Sequence, residues 1–112
     1  QQVYRCLKPG GAMTAQTESP RFNQRAFVDI HHCLRGIFGR ENVFGYLAFI
    51  PTYPTGMWSF GYASKGAAHP LDDFDPAGSE AFAREHNLQY YNPGIHQATF
   101  ALPTFVSHML DG

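Results

Sequence analysis

The chain has 112 residues, 44% of them hydrophobic and 15% aromatic, which excludes a disordered tail and leaves room for a single domain, 1–112. Eight Lys and Arg against nine Asp and Glu give a net charge of −1 with no basic stripe, so no nucleic-acid partner is expected. No apolar run approaches the ~20 residues that cross a bilayer, so no membrane partner is expected either. Cys6 and Cys33 can form at most one disulfide, and we interpret them as reduced thiols of a cytoplasmic protein.

The first third of the chain predicts a helix, a strand and a second helix. Val3 and Leu7 have helical spacing, and the sequence KPGG at 8–11 ends that helix because proline and glycine cannot continue it. Residues 11–16 are small and apolar and predict a short buried strand. A Ser-Pro pair at 19–20 is typical of a helix start, so the apolar stripe that follows predicts a helix from there to about residue 38.

Two further strands are predicted in the middle of the chain. The apolar run 43–50 and the alternating run 57–64 flank a loop rich in proline and glycine, and such neighbours pair antiparallel. Strand 43–50 is apolar on both faces, as in a parallel sheet, and we expect it beside strand 11–16. The predicted fold class is therefore α/β, with a mainly parallel sheet and one reversed strand at or near its edge.

The last third predicts a polar connection and three short helices. The connection covers residues 66–78. Each helix is expected to begin at a residue followed by proline, at 75–76, at 92–93 and at 102–103, because proline is favoured at the first helical position.

A metal site is not predicted, although the chain has six histidines. His31 and His32 are adjacent, hence about 100° apart on a helix, and do not face one ion easily. Counting a calcium loop from Asp73 places Arg84 where a bidentate glutamate belongs. We therefore expect structural or surface roles for these residues.

Two polar segments follow predicted strands, QTES at 16–19 and TYP at 52–54. Ligands of open α/β sheets bind beyond the carboxyl ends of the strands, so we expect Gln16 and Tyr53 on opposite walls of one cleft. An amide, a carboxylate and an aromatic face suit an ammonium ligand, which acceptors orient and rings attract. The alternative, that Gln16 and Glu18 cap the helix and Tyr53 packs the turn, stays open from the residues alone.

Four stretches of the chain carry a family resemblance. They are AQTESP at 15–20, IPTYPTGMW at 50–58, YYNPGIH at 90–96 and FALPTFV at 100–106. In their order and spacing the chain resembles the C-terminal half of the spermidine synthases, which are polyamine aminopropyltransferases. The sequence LKPGG at 7–11 is less specific, since it is shared with Rossmann-like methyltransferases.

The resemblance implies a reaction and a set of site residues. In that family decarboxylated S-adenosylmethionine, a co-substrate rather than a resident cofactor, donates an aminopropyl group to putrescine, giving spermidine and methylthioadenosine. The resemblance implies that Gln16 and Tyr53 contact the diamine and that Trp58 lines the same pocket. It also implies that the chain is the C-terminal part of a Rossmann-like, methyltransferase-type sheet.

The same resemblance implies segments without a counterpart among these 112 residues. They are a β-rich N-terminal domain, a glycine-rich nucleoside loop and an aspartate-rich catalytic segment. We therefore expect no catalytic residue within the chain, no activity of the chain alone, and association with itself or with an N-terminal half. The alternatives are a non-catalytic polyamine-binding or assembly module and an oligomerising domain without a ligand.

Overall fold

A computed structural model of the protein describes residues 1–66 and 68–111 as a small α/β structure. In chain order its elements are α1 (Gln2–Cys6), β1 (Ala12–Gln16), α2 (Gln24–Phe38), a 3-10 turn (Arg40–Asn42), β2 (Val43–Phe49), β3 (Met57–Ser64), α3 (Pro76–Glu85), α4 (Pro93–Thr99) and α5 (Thr104–Asp111). The predicted connection 66–78 includes Ala67, which lies outside the described residues, and its last residues already belong to α3. None of the helices described is long and apolar enough to cross a membrane.

The three strands lie in the order β1-β3-β2, and both pairings are antiparallel. The expectation of a mainly parallel sheet, with β1 beside β2, is therefore wrong for these strands. The antiparallel hairpin of β2 and β3 is confirmed, and β3, the reversed strand, lies in the middle of the three described strands, next to the outer strand β2. The two outer strands run in the same direction only because each is antiparallel to β3.

The long helix α2 begins later than the sequence predicted. Ser19 does not cap it; its hydroxyl accepts from the backbone N–H groups of Arg21 and Phe22 and closes a separate turn. The helix begins at Gln24, after Asn23 as N-cap. The Ser-Pro signal was a local turn signal, and the same side-chain chemistry serves helix caps and turns.

The starts of the short helices are confirmed because their signals are local. Asp75 accepts from the backbone N–H of Gly78 at the start of α3, and Asn92 accepts from that of Ile95 at the start of α4. Both are side-chain caps followed by proline at the first helical position. Helix α5 begins at Thr104, directly after Pro103.

The core lies on one side of the sheet, where α2 covers β2 and β3. One cluster joins Leu34 and Phe38 of α2 to Val43 and Ala63 of the sheet. A second joins Phe27 of α2 to two residues of α5, Val106 and Leu110. Because side chains alternate along a strand, β3 presents small buried residues to α2 and half-buried aromatic residues to the other side. The small residues are Ser59, Gly61 and Ala63, and the aromatic ones are Trp58, Phe60 and Tyr62.

Candidate functional site

The three residues predicted to bind a diamine lie in one continuous group. The indole Nε1 of Trp58 donates to the side-chain Oε1 of Gln16 at 3.2 Å. The Tyr53 ring lies against the Trp58 ring, with centroids 4.5 Å apart and planes inclined at 60°. The structure therefore brings together an amide and two aromatic rings. Trp58 follows Gln16 by 42 positions in the sequence and Tyr53 by 5.

The route by which these residues meet differs from the prediction. Gln16 and Tyr53 do not lie at the ends of neighbouring parallel strands, because β3 separates β1 from β2. Trp58, near the start of β3, lies between them and contacts both. Residue 16 pairs with Phe60 in the β1–β3 register, so Gln16 and Trp58 are two positions apart on the same sheet face. Antiparallel pairing, and not a crevice between parallel strands, assembles the group.

A buried hydrogen-bond network fixes the backbone below Gln16. The hydroxyls of Thr17 and Ser59 lie 2.6 Å apart, and both residues are almost completely buried. The Ser59 hydroxyl also donates to the backbone carbonyl of Glu18 at 2.5 Å, and the Ser59 N–H donates to the same carbonyl at 3.1 Å. Glu18 has a φ of 72°, which is unusual for a residue with a side chain. The network holds this strained turn, and with it the end of β1.

The loop that carries Tyr53 is closed by its own backbone. Ile50 donates to the carbonyl of Gly56 at 2.8 Å, Tyr53 donates to Ile50, and Gly56 donates to Tyr53, each of these at 3.0 Å. Gly56 has a φ of 71°, and a Cβ there would lie 2.8 Å from the Phe49 ring, so this position requires glycine. The Tyr53 ring is thereby held over Trp58 while remaining 37% exposed.

The capping alternative is wrong for Gln16, whose described side-chain bond goes to Trp58 and not to α2. It is partly right for Glu18, whose carboxylate accepts from the side-chain Nδ2 of Asn23 at 3.1 Å. Asn23 is the N-cap of α2, although its own side chain makes no capping bond. The group is thus one amide and two rings, with a carboxylate directed toward the start of α2.

A cavity of about 470 Å³ opens on the same sheet face, toward α4. Its walls are mainly aromatic, and they include Tyr46 and Tyr62 of the sheet and Phe100 after α4. The Tyr62 hydroxyl donates to the carbonyl of Ala68 at 2.9 Å. Burial, and then the nearby carboxylate of Asp73, raise the pKa of Tyr62 above the ordinary value of a phenol.

Sequence reasoning missed how the C-terminal helices are attached beside this cavity. The His96 ring of α4 lies flat on Phe74, with centroids 3.8 Å apart. Its Nε2 donates to the Pro70 carbonyl at 2.7 Å, and its Nδ1 accepts from the Tyr91 hydroxyl at 2.9 Å. The stretch YYNPGIH at 90–96 contains both Tyr91 and His96, but its sequence predicts only the start of a helix and the family resemblance.

The histidines and cysteines form no ligand cluster in the described part of the chain. No group of three or more His, Cys, Asp and Glu side chains there could hold a metal ion. His31 is buried and His32 is exposed, as their separation on a helix requires. Cys6 and Cys33 are both exposed and unbridged.

Comparison with known proteins places this geometry in a family. The family model for the spermine/spermidine synthase domain matches residues 1–73. The polyamine aminopropyltransferase of Caldicellulosiruptor saccharolyticus is 41% identical over 112 residues, covering 99% of this chain and 37% of that protein. That of Moorella thermoacetica is 44% identical over 110 residues, covering 97% of this chain and 36% of that protein.

Solved structures agree with the sequence matches. The crystal structure of spermidine synthase from Thermotoga maritima superposes with a TM-score of 0.87 at 40% identity, over 97% of this chain and 37% of that one. A crystal structure of spermidine synthase in complex with the transition state analogue AdoDATO gives the same TM-score and identity. The chain is thus an α/β structure similar to spermidine synthase. It belongs to the spermine/spermidine synthase family, and it spans just over a third of the length of these relatives.

Proposed function

We propose that this chain supplies the amine-acceptor side of a spermidine synthase site, where an aminopropyl group passes from decarboxylated S-adenosylmethionine to putrescine. The observation that carries the proposal is the continuous contact of Gln16, Trp58 and Tyr53 at one end of the sheet. Their positions match the diamine positions that the family resemblance implies. The relatives at about 40% identity support the same reaction class.

The chemistry of the group fits a diamine. Gln16 Oε1 already accepts from Trp58, which orients the amide, and its second lone pair can accept from an ammonium group. The inclined rings of Tyr53 and Trp58 form a corner whose faces attract the same cation, at about 0.5–2 kcal/mol per ring. Holding one nitrogen this way leaves the other in place for attack on the donor.

The transfer itself needs groups that these 112 residues do not supply. The attacking amine loses a proton to a general base and forms a C–N bond to the methylene beside the sulfonium, while the C–S bond breaks and methylthioadenosine leaves. We assign neither the base nor the donor site to residues of this chain. We therefore propose that the chain alone binds amine without transferring the aminopropyl group.

We further propose that the three strands are one end of a larger Rossmann-like sheet. Within the described residues β1 pairs only with β3, so the other edge of β1 presents unpaired backbone groups. Such an edge is suited to pairing with a further strand. This proposal also makes an N-terminal half, or a second copy of the chain, the expected partner.

Calorimetric titration with putrescine tests the amine site. Tyr53→Ala removes one ring face and is expected to weaken binding about three- to tenfold. Tyr90→Ala is the matched control, because Tyr90 is also exposed but lines the aromatic cavity and not the Gln16 group. Equal weakening by both variants, or no binding of putrescine to the wild-type chain, contradicts the proposed site.

A chimera separates the transferase from a non-catalytic polyamine-binding module. The matching C-terminal 37% of the Thermotoga maritima spermidine synthase is replaced by this chain. Spermidine formation is expected in the chimera, is expected to fall in its Tyr53→Ala variant, and is not expected for the 112-residue chain alone. A folded chimera that binds putrescine without turnover favours the binding module, and turnover by the chain alone contradicts the proposed inactivity.

A further inference from the structure

A buried pair of hydroxyls lies directly behind the Gln16 group, on the α2 side of the sheet. Thr17 follows Gln16 in the chain, and Ser59 follows Trp58. Because side chains alternate along a strand, both hydroxyls lie on the side opposite the amide and the indole. Thr17 is 0% exposed and Ser59 is 1% exposed, and their hydroxyl oxygens are 2.6 Å apart. Two residues proposed to contact an amine are thus backed by two that are sealed from solvent.

The hydrogen bonds of this pair run in one direction. The Ser59 hydroxyl donates to the backbone carbonyl of Glu18 at 2.5 Å, and a hydroxyl has only one proton to donate. The Thr17 hydroxyl is therefore the donor to Ser59, and it begins a chain of hydrogen bonds that ends at the Glu18 carbonyl. Because hydrogen bonds in such a chain strengthen one another, loss of the Thr17 hydroxyl also weakens the bond that holds Glu18.

The pairing of β1 with β3 changes register at these two residues. The Thr17 N–H donates to the Ser59 carbonyl at 3.0 Å, but the Ser59 N–H donates to the carbonyl of Glu18, one residue further on, at 3.1 Å. One extra residue is thus inserted on the β1 side, as in a β-bulge, and Glu18 accommodates it with a φ of 72°. A left-handed conformation is costly for a residue with a side chain and persists only where the surrounding contacts impose it. The hydroxyl chain supplies such contacts, because it holds the Glu18 carbonyl against Ser59.

We propose, on the basis of the function proposed above, that Thr17 and Ser59 are positioning residues of the amine site. They act through the side chains that precede them in the chain, Gln16 and Trp58. Gln16 is the last residue of β1, and its 3.2 Å bond to the Trp58 indole orients the amide only while the two strands keep their register at this point. The hydroxyl chain fixes that register. An amide that is already oriented loses less conformational freedom when an ammonium group binds, and affinity is higher for that reason.

Trp58 is the one tryptophan of the chain, and its indole N–H therefore gives a single NMR resonance that reports the bond to Gln16 without any ligand. Thr17→Val removes the first hydroxyl and keeps the branched shape of the side chain. We expect the Trp58 resonance to move in this variant, and putrescine binding to weaken about three- to tenfold in calorimetric titration. Tyr62→Phe is the matched control, because it also removes a hydroxyl that donates to a backbone carbonyl, but four positions further along β3. It is expected to leave both readouts unchanged.

Thr17→Ser separates positioning from stability. This variant keeps the hydroxyl but removes the buried methyl group Cγ2, which would lie 3.2 Å from a Cβ at Gly61. We expect it to lower the unfolding temperature, because a buried methyl group is lost, and to leave the Trp58 resonance and the putrescine affinity near those of the wild type. A purely structural role predicts instead that affinity falls with stability in Thr17→Ser as it does in Thr17→Val.

An unmoved Trp58 resonance in Thr17→Val, or the same putrescine affinity as in the wild type, would overturn the positioning role. Equal losses of affinity in Thr17→Ser and Thr17→Val would also overturn it, since the hydroxyl would then not be the group that matters. If Thr17→Val does not fold, Ser59→Ala removes the second hydroxyl of the chain and is expected to change the same two readouts. Absence of putrescine binding by the wild-type chain would contradict the amine site itself, whereas the Trp58 resonance still tests whether Thr17 holds Gln16 in place.

Discussion

The two faces of strand β3 differ in almost every physical respect, although their residues alternate along eight positions of the same chain. On the α2 face, Ser59, Gly61 and Ala63 are buried, and the helix lies close against them. On the other face, Trp58, Phe60 and Tyr62 are half-buried, and Tyr62 lines an open aromatic cavity.

We expect this difference to separate the residues that stabilise the fold from those that bind an amine. The α2 face is filled by apolar contacts and by a buried network, so side chains there have little freedom to respond to a ligand. The aromatic face keeps ring surface accessible, which a cation requires. We therefore expect substitutions on the α2 side, apart from those of Thr17 and Ser59, to change only the free energy of unfolding, and substitutions of the Gln16 group to change affinity.

The largest expected effect is that of Phe27→Ala on the α2 side. Phe27 is 1% exposed and packs against Val106 and Leu110, so its truncation leaves a cavity and is expected to lower the free energy of unfolding by about 3–5 kcal/mol in urea titrations. Phe60→Ala, on the aromatic face, is the comparison. Its ring is half-buried and stacks on Tyr46 at 5.2 Å, and we expect about 1–2 kcal/mol. Equal losses at the two positions would remove the distinction between the faces.

The next effect is the dependence of stability on pH through His31. Burial, and then the positive charge of Arg35, lower its pKa to about 4, from 6.5 in the unfolded chain. Because the folded pKa is the lower one, the unfolded state binds more protons between these values. Stability is therefore complete above pH 6.5 and falls by about 3 kcal/mol as the pH drops to 4.

His31→Leu isolates this contribution, because other groups titrate in the same range. The difference in free energy of unfolding between wild type and His31→Leu is expected to change with pH, as measured by urea titrations at several pH values. His32→Leu, at the exposed neighbouring position, is expected to leave the pH dependence of the wild type unchanged. A constant difference between the wild type and His31→Leu would show that His31 does not titrate abnormally.

The smallest expected effect comes from a pair of glycines. A Cβ at Gly61 would lie 2.9 Å from Leu34 Cδ1 and 3.2 Å from Thr17 Cγ2, so Gly61→Ala is expected to destabilise by about 1–3 kcal/mol. Gly36, in α2, has no atom of residues 1–66 or 68–111 within 4 Å of its Cβ position. Gly36→Ala is expected to stabilise by about 0.5–1 kcal/mol through helix propensity. Thermal unfolding of both variants measures the two changes in stability. A stabilising effect of Gly61→Ala would show that α2 does not pack closely on β3.

Much of the secondary structure was predictable because its signals are local. The caps at Asp75 and Asn92 act within three residues, and the alternation in β3 gave the correct faces. The start of α2 was predicted wrongly because Ser19 can close a turn as readily as a helix. The strand order was also wrong, since the pairing of β1 with β3 joins residues more than 40 positions apart and leaves no local mark.

The three residues predicted for the site contact one another in the structure, but by a route that the sequence did not predict. Gln16 and Tyr53 were expected on opposite walls of one cleft, whereas in the structure each of them contacts Trp58, a residue that only the resemblance had indicated. A cavity on the α2 side, whose lining includes His31, Arg35, Arg40 and Leu110, was not predicted at all. His31 and Arg35 are four residues apart on one helix, but Arg40 and Leu110 join them only when α2, the 3-10 turn and α5 pack together.

The amino-acid sequence by itself determined where helices and strands form, which face of β3 is aromatic, and to which family the chain belongs, because each is written in residue type, spacing or motif order. Only the tertiary structure decided the strand order, the Gln16–Trp58 bond and the burial of His31 without a hydrogen-bond partner among the described residues. These features depend on contacts between residues that are far apart in the sequence. The energies of such contacts depend on how the whole chain packs, and no local stretch of residues determines them.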